Sequence, residues 1–178
     1  MIPGSDTANL SVLGYDPKEF YSGRSPLEAL SIGVPMKDTD ISYRVNIVTL
    51  DDAEPFEKKT IIDHSSDEID TETSTILLKE AIKGLENEEF QFYPGTAYRH
   101  CMIWSHGKAV VLSQPHDHLG EVIAPYLPPE PFLSMMKHSN DVLKNHPINI
   151  ERKKKGLHPA NCFWFWGAGT RPKLSSFE

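Results

Sequence analysis

Fourteen prolines punctuate the 178 residues. They break the chain into short elements and ordered loops, because proline lacks a backbone donor and fixes its own φ. A fold made here is assembled from brief strands and helices. Composition agrees with a packed domain: 39% of residues are hydrophobic and 24% charged, which is globular rather than disordered. The length is enough for one large domain with a real core. The formal net charge of −7 argues against general nucleic-acid binding. It leaves open a local arginine cluster for small anions. No apolar stretch is long enough to cross a membrane. The start, Met1-Ile2-Pro3-Gly4, has no basic or apolar leader region, so a cytoplasmic protein is the default expectation. Cys101 and Cys162 lie in apolar strand-like runs and read as buried thiols, without zinc-type spacing.

Ile41 to Leu50 alternates as a strand, with Ile41, Tyr43, Val45 and Ile47 on one face and Arg44, Asn46 and Val48 on the other. Lys59 to His64 reads as a second strand ending in the polar cluster Asp63-His64-Ser65-Ser66-Asp67. Phe90 to Tyr93, Tyr98 to Trp104 and Lys108 to Leu112 read as strands, with His106-Gly107 as the hairpin turn between the last two. Cys162 to Gly167 is a buried strand by composition. Helices are predicted over Ser25 to Ile32, with Ser25 as N-cap, Pro26 at the first position and Gly33 as the stop. Further helices are predicted over Thr71 to Leu85, capped by Asp70 or Thr71, and over Glu130 to about Asn145. His146-Pro147-Ile148-Asn149 reads as a helix-ending turn, and Arg152 to Lys155 as a solvated basic run. The fold class that follows is α+β, or α/β-like, with a mixed sheet and flanking helices.

The stretch Gly4-Ser5-Asp6-Thr7 through Gly14 reads as a capped helix that ends at Leu13. A serine at a helix entrance also lies beside unpaired N–H groups, which suits phosphate. A lone Gly-Ser-Asp-Thr is common, and by itself it is most simply a surface cap. Arg24, Arg44, Arg99, Arg152 and Arg171 each stand next to Gly, Pro, Asn or His at strand ends or loops. A guanidinium clamps a carboxylate or phosphate with two parallel bonds, so several converging would hold a small dianion. Each taken alone is more simply an ion pair. His116-Asp117-His118 has a spacing that can ligate metal, but a histidine used for hydrogen bonding is an equal reading. Gly167-Ala168-Gly169 lacks the third glycine and the following helix of a dinucleotide site, and there is no P-loop.

Taken in order, the motifs resemble those of the archaeal-type 2,3-bisphosphoglycerate-independent phosphoglycerate mutases, within the alkaline phosphatase superfamily. The matching stretches are Pro3 to Pro17, Tyr21 to Ala29, Tyr43 to Asn46, Phe92 to His100 and Pro115-His116-Asp117. His146 to Asn149 with Arg152, and Trp164 to Pro172, complete the set. Family members are more than twice this long, so the resemblance implies a piece cut from a larger enzyme. Residues 1–35 would be a nucleophile-bearing segment of a phosphatase-like core, 36–172 an inserted substrate-binding domain and 173–178 a linker back to the core.

By that resemblance Ser5 is the nucleophile that accepts the phosphoryl group, and it also touches one of two divalent metals, Mn or Mg. The other metal ligands are missing from this chain, so no metal is expected in the piece alone, and it is expected to be inactive. Arg24, Arg44, Asn46, Arg99, His100, His116, Asp117, Arg152 and Arg171 fall on motif positions and are assigned to substrate carboxylate and phosphate. The implied partners are phosphoglycerate and the missing core domain, with no nucleic acid and no membrane. The implied reaction interconverts 3-phosphoglycerate and 2-phosphoglycerate through a phosphoserine. One loop departs from the family pattern Asp-Tyr-Ser-Ala-Gly-His-Ile: here Asp63 to Ile69 places Ser66-Asp67 at the small pair and Glu68 at the histidine. Two alternatives follow, a related phosphotransferase or phosphohydrolase for another small phosphorylated hydroxy acid (some members carry a homoserine-kinase label), or a stand-alone anion-binding or interaction module.

Overall fold

The computed structural model describes residues 24–172. Ser5, the helix expected to end at Leu13 and the segment 173–178 lie outside them. The described elements run α1 (Arg24–Ser31), β1 (Asp40–Leu50), β2 (Ile61–Asp63), α2 (Thr71–Ala81), β3 (Phe90–Tyr93), β4 (Arg99–Ser105), α3 (Phe132–Leu143), α4 (Pro147–Lys154) and β5 (Cys162–Thr170). The strands form a five-stranded antiparallel sheet organised on β1, which pairs with β4, β5 and, at its far end, β2; β3 pairs with β4. This is the expected mixture of strands and helices, with every pairing antiparallel.

All eleven residues of β1 are buried, because the sheet is covered on both faces. Cross-strand pairing puts Tyr43 with Met102, Val45 with Phe165 and Ile47 with Phe163 on one face. There α3 delivers Phe132, Met135, Met136 and Leu143, and α2 delivers Leu77, Leu78 and Ala81, to form the main core. Tyr43 and Phe132 meet at 4.7 Å between ring centres. Each large apolar side chain buried here contributes roughly 1.5–3 kcal/mol.

The opposite face carries Ser42, Arg44 and Asn46, with Cys101 and Ile103 of β4 and Trp164 and Trp166 of β5. Helix α1 lies against it through a small cluster of Ala29, Val34, Cys101 and Ile103. The helix ends as the sequence predicts. Gly33 has φ 73°, Val34 N–H donates to the Ala29 carbonyl and Gly33 N–H to that of Leu30, which is the Schellman pattern. Its start differs. Arg24 is the first helical residue, and Ser25, inside the first turn, is buried and accepts at 2.7 Å from the Ser42 hydroxyl.

Three other expectations are corrected. Residues 108–112 do not pair as a strand; Tyr43 Oη donates to the Lys108 carbonyl and accepts from Val110 N–H, so side chains rather than a ladder satisfy this backbone. β4 forms its hairpin with β3 instead. Pro147 begins a helix rather than ending one: it takes the first position of α4, His146 Nδ1 accepts from Ile148 N–H at 3.1 Å, and the basic residues 152–154 fill the last turn, where cations favour the helix dipole. α2, capped by Asp70 through Thr73 N–H at 2.8 Å, stops at Ala81 and continues only as turns past Gly84.

Candidate functional site

Two of the five arginines, Arg44 and Arg99, share the polar face of the sheet. Arg44 is 6% exposed. Its guanidinium carbon lies 4.8 Å from the centre of the Trp166 ring, its cross-strand partner, and its Nη2 bonds Glu28 Oε1 of α1 at 2.9 Å. A buried guanidinium is costly unless paired, and here it has both a carboxylate and an aromatic face. Asn46 follows on the same face and its Oδ1 accepts from Trp166 Nε1 at 3.2 Å. Arg99 stands opposite Asn46 on β4, while Arg44 stands opposite Cys101. The two arginines are therefore diagonal neighbours on one sheet face. The Arg99 guanidinium lies over Tyr98 at 5.3 Å.

Aromatic rings close the other side. His116, in a short 3-10 turn over Pro115–Asp117, sets its edge on Trp166 at 5.5 Å. His64, at the end of β2, contacts both His116 at 5.9 Å and Tyr98 at 5.7 Å. The contacts thus run from Arg44 through Trp166, His116, His64 and Tyr98 to Arg99. Beside them a cavity of about 200 Å³ opens between Glu28, Ser31, Gly95 and Arg99. Gly95 is required at its rim, because a Cβ there would run into the Arg99 carbonyl.

Other residues singled out by sequence stand apart. His100 points to the opposite, apolar face: Nδ1 accepts from Gly95 N–H at 3.0 Å and Nε2 bonds Ser74 Oγ at 2.7 Å. Burial pushes its pKa down to about 4, so it is a neutral imidazole holding the Gly95 loop. Arg152 spends its guanidinium on two backbone carbonyls, those of His158 at 2.9 Å and Ser66 at 2.7 Å. Arg171 makes an exposed pair with Asp38 at 3.3 Å beyond the end of β5. Asp117 is exposed, 3.8 Å from His116 Nε2. Arg24 opens α1. His116 and His118 do not share a site: His118 stacks on Tyr126 and bonds Glu121 at 3.2 Å. Burial pushes both thiols, Cys101 and Cys162, up to about 12, which leaves them unreactive.

Sequence reasoning marked His64 as part of a polar strand end, and it missed Glu28 and Trp166 as members of this face. It also missed a knot at Asp63. Burial opposes ionisation of this carboxyl, but the His158 ring, Ser65 and the Asp67 N–H all bond to it and together hold its pKa well below the usual range. Among the described residues, Asp63, Asp67 and His158 are the one trio of donor side chains close enough to share an ion.

The family profile described as 2,3-bisphosphoglycerate-independent phosphoglycerate mutase matches residues 1–149. The chain belongs to this family. A probable 2,3-bisphosphoglycerate-independent phosphoglycerate mutase of Geobacter sulfurreducens is 44% identical over 99% of the chain and 45% of its own length. The mutase of Methanosarcina barkeri is 42% identical, over 98% of the chain and 44% of its own length. Among solved structures, the cofactor-independent phosphoglycerate mutase of Thermoplasma acidophilum superposes with a TM-score of 0.62 at 26% identity, covering 98% of this chain and 48% of that one. The chain spans less than half the length of the curated mutases it matches. No helix among the described residues is long and apolar enough to cross a membrane.

Proposed function

We propose that this chain is the anion-binding layer of a phosphoglycerate mutase that interconverts 3-phosphoglycerate and 2-phosphoglycerate. In this reading residues 36–172 are the inserted substrate-binding domain. Residues 1–35 are the nucleophile-bearing segment, with α1 docked on the sheet, and 173–178 lead back to a core domain. The observation that carries the reading is the placement of Arg44 and Arg99 as diagonal neighbours on one covered face, with Arg44 already engaged by a carboxylate.

The geometry suggests how such a layer works. Phosphoglycerate carries a carboxylate and a phosphate, and two guanidinium groups on adjacent strands can take one each. Trp166 and Tyr98 lie against them and fix their planes. Glu28 pairs with the Arg44 guanidinium, and its carboxylate, 37% exposed, can exchange for the ligand's oxyanion without leaving the cation bare. Moving a phosphoryl group between two hydroxyls requires that the bound glycerate be kept from solvent between the two transfers. Arg44, Asn46 and Arg99 supply that retention, and Ser5 is assigned as the phosphoryl acceptor.

The family reaction is implied to use two divalent metals, which would activate the nucleophile and neutralise the transferring phosphoryl group. The donors among the described residues do not fit a pair: Asp63, Asp67 and His158 offer three side chains, enough to anchor one ion. No transfer step is assigned to them. A second reading, transfer on another small phosphorylated hydroxy acid, is favoured by His64. Its loop departs from the family pattern and packs onto His116 in the site.

The intact protein carrying this sequence is expected to convert 3-phosphoglycerate to 2-phosphoglycerate, and Ser5→Ala to abolish turnover. Full activity in Ser5→Ala would refute the assignment, and preference for a different phosphorylated hydroxy acid would select the second reading.

A further inference from the structure

The trio at the end of β2 has a geometry that neither the family reaction nor the arginine face uses. His158 Nδ1 lies 2.9 Å from Asp63 Oδ2 and 3.2 Å from Asp67 Oδ1. Adjacent ligands about 2.1 Å from an ion stand about 3.0 Å apart in an octahedral shell and about 3.4 Å apart in a tetrahedral one. Both observed spacings therefore match adjacent positions around a single small cation.

The carboxylates are also oriented as ligands are. Asp63 Oδ1 accepts from Ser65 N–H and Oγ–H, each at 2.9 Å, and its Oδ2 from Asp67 N–H at 2.6 Å. Asp67 Oδ2 accepts from His158 N–H at 2.6 Å. These bonds act as the outer shell that fixes a metal ligand's direction. Arg152 ties the two halves together from behind through the carbonyls of Ser66 and His158. The front is open, with the His158 and Asp67 side chains 43% and 36% exposed, so an ion can enter and keep waters in its remaining positions.

We propose that Asp63, Asp67 and His158 bind one first-row divalent transition-metal ion, such as Zn²⁺ or Mn²⁺. An imidazole with two carboxylates suits these ions better than Mg²⁺, which prefers all-oxygen shells. Binding replaces the His158–Asp63 hydrogen bond with two metal–ligand bonds, the ring proton residing on Nε2. The ion staples the β2 end to the segment that leads into β5, and so fixes His64, which follows Asp63 directly. The proposal stands on these residues alone and is independent of the mutase reading.

The test is calorimetric titration of this chain with Zn²⁺ and with Mn²⁺ at neutral pH. It is paired with imidazole ¹⁵N spectra of the eight histidines. One equivalent is expected to bind, with His158 the histidine whose Nδ1 resonance moves. Asp67→Asn and His158→Gln are each expected to weaken binding at least tenfold, while the exposed control His106→Asn leaves it unchanged. No one-equivalent uptake tighter than millimolar would overturn the proposal. So would a different histidine responding in the parent protein, which decides the matter even if a variant fails to fold.

Discussion

The Arg44 guanidinium lies 4.8 Å from the centre of the Trp166 ring, directly across the β1–β5 pair. This buries a cation on an aromatic face while leaving its fork directed by Glu28, 2.9 Å away. The consequences of that arrangement can be measured.

Trp166→Phe keeps an aromatic face under Arg44 but removes the indole N–H that Asn46 accepts. A net hydrogen bond is worth about 1 kcal/mol, and the phenyl face attracts a cation less than indole does. Affinity for 3-phosphoglycerate should fall roughly five- to thirtyfold by calorimetry, with the far-ultraviolet circular dichroism unchanged.

Glu28→Gln removes the carboxylate that competes with an anionic ligand for Arg44. If Glu28 is the resident counter-ion, this variant binds inorganic phosphate more tightly than the parent, and the salt dependence of binding steepens. Weaker binding in Glu28→Gln would mean that Glu28 positions Arg44 instead.

His100 is 2% exposed and its pKa is held at about 4 by burial, below the ordinary value near 6.5. The folded state therefore resists a proton that the unfolded chain accepts. Stability contributed by the neutral ring is complete above about pH 6.5 and is lost as pH falls towards 4. The loss from this group is about 3 kcal/mol. Urea unfolding at a series of pH values checks it: the acid slope should flatten in His100→Gln.

Arg152 braces the fold through the carbonyls of His158 and Ser66. Arg152→Ala leaves the carbonyls of Ser66 and His158 without their charged donor, which costs about 2–3 kcal/mol, or a fall in Tm of roughly 4–12 °C. Phosphoglycerate affinity measured well below that Tm should change little. A large loss of affinity with unchanged Tm would return Arg152 to the binding site.

Much of this was legible from alternation alone. The period of two in β1 separates Arg44 and Asn46 from Tyr43, Val45 and Ile47, as observed. The same rule separates Arg99 from His100, although the two share a motif; one lies on the polar face with Asn46 and the other on the core face with Val45. Alternation also splits Phe163 and Phe165 from Trp164 and Trp166, but which face meets Arg44 depends on register with a strand 120 residues away, as between Asn46 and Trp166. Sequence alone does not carry that. Lys108 to Leu112 reads as a strand because it is mostly apolar, yet Tyr43 takes the Lys108 carbonyl and the Val110 N–H, and Trp164 takes the Ser113 carbonyl just beyond. Pro147 was ambiguous in principle, since proline both stops one helix and starts the next. The Asp63 knot was hidden because its third member, His158, is distant in sequence and sits in no recognisable spacing.

Whether Arg44 and Arg99 hold one small dianion between them is decided by calorimetric titration of this chain with 3-phosphoglycerate. The parent is compared with the double variant Arg44→Ala/Arg99→Ala. Saturable one-to-one binding in the parent and none in the double variant is the predicted result. Equal heats from the two proteins, with both folded by circular dichroism, would contradict it.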